Sequence, residues 1–74
     1  MEGKPLEIKA ARVRLRLSQK AVADRLGVSV TAYRHKESGT VRFTDPEKLA
    51  LVETLHLSMR QFNDYFFEGK LPIG

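Results

Sequence analysis

Apolar residues recur every three or four positions along most of the 74-residue chain, a spacing that predicts helices and little else. From Leu6 to Leu15 one stripe joins Ile8, Ala11, Arg12 and Leu15, with Val13 at its edge and Lys9, Arg14 and Arg16 away from it. Ser18 is a good cap for a second helix, about Gln19 to Leu26, with Val22, Ala23 and Leu26 inside and Gly27 placed to end it. Ser29 can cap a third, about Val30 to Ser38. There Tyr33 faces inward, with Lys36 or Glu37 a turn later, and Thr31, Arg34 and His35 face out. Gly39 ends that helix, and 40–44 reads as a loop.

A fourth helix begins near Asp45-Pro46, where Thr44 with Glu47 fits a capping box and Asp45 is a rival cap. Leu49, Val52 and Leu55 or Leu51 supply its apolar face. Ser58 with Gln61 forms a second box and opens a fifth helix to about Phe67, with Met59, Phe62, Tyr65 and Phe66 as its apolar residues. Gly69 and Pro72 end ordered helix. Strand signals are scarce, no repeat or linker is visible, and the expected architecture is one all-α, compact five-helix domain over 1–74. Phe66, Phe67, Leu71 and Ile73 are too many apolar groups for a frayed tail, so some should complete the core and any remainder would mark a protein interface.

Composition narrows the class. Hydrophobic residues at 42% and charged residues at 30% fit an ordinary globular protein. The absence of cysteine excludes disulfides and a thiolate zinc site. No apolar run approaches the roughly 20 residues of a membrane span, and 1–6 lack the apolar stretch of a secretory signal, so a soluble cytoplasmic protein is expected. The net charge of +4 is uneven: residues 1–42 hold ten Lys and Arg against four acids, and residues 43–74 hold three against five. Basic charge gathered in one part suggests a polyanionic partner.

The informative stretch is Ser18 to Gly39, SQKAVADRLGVSVTAYRHKESG, in which two short helices flank Gly27-Val28-Ser29. Small Ala23 lets the two helices approach, Gly27 permits the sharp turn, Val28 plugs the corner, and Tyr33 anchors the third helix. This is the grammar of a helix-turn-helix at about 18–39, followed here by helices four and five at about 45–67. The pattern S-Q-x-x-V/L-A-x-x-L-G-V-S, followed by E-x-G at 37–39, resembles the Cro and repressor (XRE-like) group of helix-turn-helix proteins. The resemblance runs over about residues 7–67, with the Leu17-Ser18-Gln19 entry and Leu55-His56-Leu57-Ser58 also matching.

That resemblance implies a lambda-repressor-like DNA-binding domain acting as a small phage-type repressor or Cro-like regulator. It places Val30, Thr31, Arg34 and His35 toward DNA bases, and Gln19 and Ser29 on phosphates, with Thr40, Val41 and Arg42 in a loop that follows the backbone. It also makes Arg12 and Glu37 an internal salt bridge. Among the remaining cations, Lys9, Lys20 and Arg42 are candidates to follow phosphates, with Lys20 and Arg42 kept in the site and Arg14 and Arg16 left outside it. Two positions depart from the family pattern. Lys36 stands where a bulky apolar residue is usual, so it would snorkel past the first helix or helix three would rotate. Val30 can touch a thymine methyl but cannot donate a hydrogen bond.

These departures and the modest net charge leave a second expectation, a protein-binding module that grips a partner repressor as an antirepressor. Double-stranded DNA is the expected partner, and a homodimer would set two recognition helices about 34 Å apart. An enzyme is not expected: no nucleophile, base and orienting group converge, and the five glycines are scattered rather than gathered in a phosphate loop. Two distant histidines make no metal constellation, and no cofactor is called for. His56 falls at a helix end, and Ser58 and Gln61 are capping residues.

Overall fold

The structure, a computed structural model, describes residues 5–67, with side chains for 7–66. It comprises α1 (Pro5–Arg14), α2 (Gln19–Leu26), α3 (Val30–Glu37), α4 (Asp45–Leu55) and α5 (Met59–Phe67). The fold is all-α, with no strand among the described residues. Gly69, Leu71, Pro72 and Ile73 lie outside the described residues, as does the side chain of Phe67.

The starts of α2 to α5 follow one rule. Ser18 accepts from the Ala21 N–H at 3.0 Å, Ser29 from Ala32 at 3.0 Å, Thr44 from Glu47 at 3.3 Å and Ser58 from Gln61 at 3.1 Å. Glu47 and Gln61 return the favour, each accepting the cap residue's own N–H at 2.8 Å. Thr44, not Asp45, is therefore the cap of α4. Each such cap contributes about 1 kcal/mol.

Helix ends follow a second rule. α1 to α4 each finish in a Schellman turn, with a left-handed residue at Arg16 (φ 58), Gly27 (φ 76), Gly39 (φ 87) and His56 (φ 55). In each, the next N–H reaches back five residues: Leu17 to Arg12, Val28 to Ala23, Thr40 to His35 and Leu57 to Val52, at 2.9–3.2 Å. A Cβ on Gly27 would meet nothing within 4 Å, so glycine is favoured there by its backbone angle and not by crowding. Leu17, Val28 and Leu57 turn inward onto the core. Thr40, the residue in the same place after α3, is exposed. The chain leaves α3 along the surface.

The core joins Ile8 and Ala11 of α1, Val22 and Ala23 of α2, Tyr33 of α3, Leu51 and Leu55 of α4, and Tyr65 and Phe66 of α5. Phe43, from the loop before α4, fills the space between them. Its ring lies 6.2 Å from Tyr33 and 5.9 Å, edge-on, from Phe66. α3 packs on both α2 and α1, and so sits on the rest as a supported outer element.

Three expected inward residues point elsewhere. Leu49 is 63% exposed and Met59 is 61% exposed, while Leu15 lies past the end of α1 on the rim of a shallow groove. The phase of α4 is set by Lys48, Leu51, Thr54 and Leu55, which are all buried, and Leu49 falls on the opposite side of that face. Lys48 is buried because its ammonium lies 5.4 Å from the Phe66 ring centre and 3.9 Å from Asp45. Val13 is likewise exposed, at 54%.

This phase gives a direct test. Leu51→Ala should cost about 2–5 kcal/mol, enough to unfold much of so small a domain. Leu49→Ala should stay within about 0.5 kcal/mol. Urea denaturation of both variants would measure this, and equal losses would overturn the assignment of the buried face.

Candidate nucleic-acid interface

α3 has two faces with different chemistry. Tyr33 and Glu37 are buried, and Thr31, Arg34 and His35 are exposed together on the opposite side. Val30, in the first turn, is half-buried and packs against the core, so only its outer edge reaches solvent.

The inner face is held by one carboxylate. Glu37 Oε2 accepts from Arg12 Nε at 2.7 Å and from the Tyr33 hydroxyl at 2.6 Å. Its Oε1 accepts from Arg12 Nη2 at 3.1 Å and Gln19 Nε2 at 3.1 Å. Arg12 also donates to the Leu17 carbonyl at 2.8 Å, which ties the α1–α2 turn to the same point. The internal Arg12–Glu37 pair implied by the resemblance is present. Burial alone would push the Glu37 carboxyl up, but the hydrogen bonds from Arg12, Tyr33 and Gln19 and the charge of Arg12 hold it below its ordinary value. Burial, reinforced by Glu37, pushes the Tyr33 phenol up, so it keeps the proton it donates. The bond to Glu37 raises Arg12 in turn, against the effect of burial.

Lys36 does not snorkel past α1. It reaches across to the N-terminus of α4 and pairs with Glu47 Oε1, the capping-box oxygen. Both side chains are largely buried, about nine-tenths shielded, and the pair holds α3 to α4. Burial would raise the Glu47 carboxyl, yet its bonds from Lys36 and the Thr44 backbone leave it lowered.

The expected phosphate residues lie around the ends of α2 and α3. Gln19, at the start of α2, is half-buried, and its Oε1 accepts from Arg34 Nε at 3.4 Å. Ser29 spends its oxygen on the Ala32 N–H and keeps its own proton to donate. Lys20 is exposed beside Asp24 at 3.3 Å, an i,i+4 pair that holds it weakly. Thr40 and Arg42 are exposed in the loop after α3, where the Thr40 and Val41 N–H groups both donate to the His35 carbonyl. Of these, Gln19 touches Arg34, Ser29 caps α3 and Thr40 donates to the His35 carbonyl, while Lys20 lies on α2 and Arg42 follows two residues after Thr40. Ala23 is fully buried, Val28 is packed on the core, and Gly27 makes the turn, as expected.

Sequence reasoning missed Phe43, Lys48 and Asn63, all buried. Phe43 had a readable signal: it immediately precedes the Thr44 cap, the position from which an apolar residue commonly packs back on its helix. Lys48 and Asn63 had none, since polar residues on a helix are ordinarily solvated.

Two helices joined by a tight glycine turn, with the second helix displayed on a rigid support, define a helix-turn-helix domain. The helix-turn-helix family model matches residues 8–62, and the chain belongs to this XRE-type family of DNA-binding regulatory domains. None of the curated proteins and none of the solved structures matches the chain significantly. Among the described residues no helix is long and apolar enough to cross a membrane, and no group of His, Asp and Glu is placed to hold a metal ion.

The lowered carboxyl of Glu37 makes stability depend on pH. Its contribution is complete above the unfolded carboxyl range, roughly pH 4.3, and is lost as pH falls through the lower folded value. Glu47 acts in the same direction. Denaturation midpoints should therefore be flat from pH 7 to about 5 and fall below about 4.3. Arg12→Met should cost about 3–5 kcal/mol at pH 7, because it strands a buried carboxylate, and adding Glu37→Gln should recover much of the loss. The acid decline of that double variant should be shallower than that of the wild type. An equal decline would place the titrating group elsewhere.

Proposed function

We propose that this domain is a sequence-specific DNA-binding transcriptional regulator, a small repressor of the phage Cro type, that sets α3 into the major groove. The observation that carries this reading is the shared exposure of Thr31, Arg34 and His35 on a helix whose other face is locked by Glu37 and Tyr33. Arg34 would donate to the O6 and N7 of guanine, and Thr31 and the free edge of Val30 would meet a thymine methyl. His35 would bond a base edge or a nearby phosphate. Ser29, Lys20, Thr40, Arg42 and the second N–H of the Gln19 amide would bind phosphates and set the register.

As a symmetric dimer, the protein would span two half-sites about 34 Å apart on double-stranded DNA. Residues 1–74 would act as one domain, working in the cytoplasm where bacterial or phage DNA is transcribed, and without enzymatic chemistry. The alternative of an antirepressor that grips a repressor drew on Val30 and Lys36, beside the modest net charge of +4. Both now have structural work, Val30 on the core and Lys36 with Glu47, so the DNA reading is preferred.

Selection from random duplexes, followed by binding of the winner at graded salt, tests this. An enriched palindrome with half-sites about 10 bp apart is expected. The log–log salt slope should fall by about 0.9 for each phosphate neutralised, reaching several units in total. The triple variant Thr31→Ala, Arg34→Ala, His35→Ala should lose the selectivity. Absence of any enrichment at low salt would overturn the reading in favour of a protein partner.

A further inference from the structure

We infer that Glu37 and Gln19 are positioning residues for DNA reading: the buried carboxylate sets the polarity of the Gln19 amide, and the amide carbonyl aims the Arg34 guanidinium at one base pair. This rests on the DNA-reading role proposed for α3.

Donors and acceptors fix the orientation of the Gln19 amide. Glu37 is an acceptor only, and Arg34 is a donor only. Gln19 lies between them, with Nε2 donating to Glu37 Oε1 at 3.1 Å and Oε1 accepting from Arg34 Nε at 3.4 Å. A single orientation of the amide satisfies both neighbours, because the flipped amide would set oxygen against carboxylate and N–H against guanidinium. Glu37 in turn cannot rotate away, being gripped by both Arg12 bonds and by Tyr33. A chain of hydrogen bonds therefore runs from the buried carboxylate to the exposed face of α3.

The atom used matters. Gln19 takes the Nε–H of Arg34 and leaves the two terminal nitrogens, Nη1 and Nη2, with their four N–H groups. A guanine presents O6 and N7 side by side, and a guanidinium with its inner N–H restrained can meet them with its outer edge as a fork. An unrestrained arginine at an exposed helix position would divide its time between bases and the strongly attractive phosphates. The relay favours the base.

Gln19 thus has a second role beyond the phosphate contact implied by its place at the start of α2, and the two roles separate experimentally. Gln19→Met keeps length and shape but removes both ends of the relay. Gln19→Met, Arg34→Ala and the double variant should each be measured against the selected duplex and against duplexes with every base pair changed singly. Thermal melting checks that all three remain folded. The relay predicts that Gln19→Met loses about tenfold of the discrimination at one base pair, the same pair affected by Arg34→Ala, and that the double variant discriminates no worse there than Arg34→Ala alone. A uniform loss on all duplexes, with discrimination intact, would leave Gln19 a phosphate contact only and overturn the relay.

A second readout needs no DNA. In the free protein the Arg34 Nε–H resonance should be sharp and slow to exchange with water, and Gln19→Met should broaden it. An unchanged resonance would overturn the relay. If no duplex were selected at all, the DNA reading of α3 would fail and the positioning role with it. A sharp Arg34 signal in that same sample would show that the fault lay in the reading and not in the relay.

Discussion

The Glu37 carboxylate is withdrawn from water where α1, α2 and α3 meet, and the exposed face of α3 depends on how it is satisfied. A lone carboxylate in that place would be strongly unfavourable. Here four donors from three helices converge on its two oxygens. The contribution is one of geometry more than of net stability, since a buried ion pair roughly offsets its own desolvation. Any rotation of α3 about its axis would break at least one of these bonds, so the angle at which Thr31, Arg34 and His35 face outward is set by groups on the opposite side. The Lys36–Glu47 pair adds a second fixed point in the same C-terminal turn of α3, against α4.

The connections do comparable work. Four helices end in the same left-handed turn, and after three of them the next side chain folds into the core as Leu17, Val28 or Leu57. After α3 the same position is Thr40, which stays outside. The segment 40–42 consequently runs along the surface beside α3 before Phe43 returns the chain to the core between Tyr33 and Phe66. A single change from apolar to polar at one position of a repeated turn separates a buried corner from an exposed rim.

Much of this was legible from residue types. Hydroxyl caps and glycine-ended helices gave the boundaries of α2 and α3 to within one residue, because capping chemistry is local and needs no knowledge of the fold. The resemblance of the Ser18–Gly39 stretch supplied the helix-turn-helix and the Arg12–Glu37 pair. On α4 only Leu49 was misplaced, while Val52, Leu51 and Leu55 do face the core; the buried stripe also includes Lys48 and Thr54, whose polarity hid its true centre. Neither a Lys36 that snorkels past α1 nor a rotated α3 anticipated the pairing with Glu47, because Glu47 is eleven residues away and was already accounted for as a cap. Charged residues that bury their stems, and polar residues that serve two neighbours at once, carry no periodic signal. The Gln19 link between Glu37 and Arg34 belongs to the same class.

Under the proposed function, the outer face of α3 meets DNA, with Gln19, Lys20, Ser29 and residues 40–42 on phosphates. The most direct test is to follow the backbone amide resonances of the labelled protein while a selected duplex is added. Shifts concentrated in 18–20, 29–35 and 40–42, with Leu49 and Met59 unmoved, are expected from that placement. Shifts confined to the exposed sides of α4 and α5, with α3 unchanged, would contradict it.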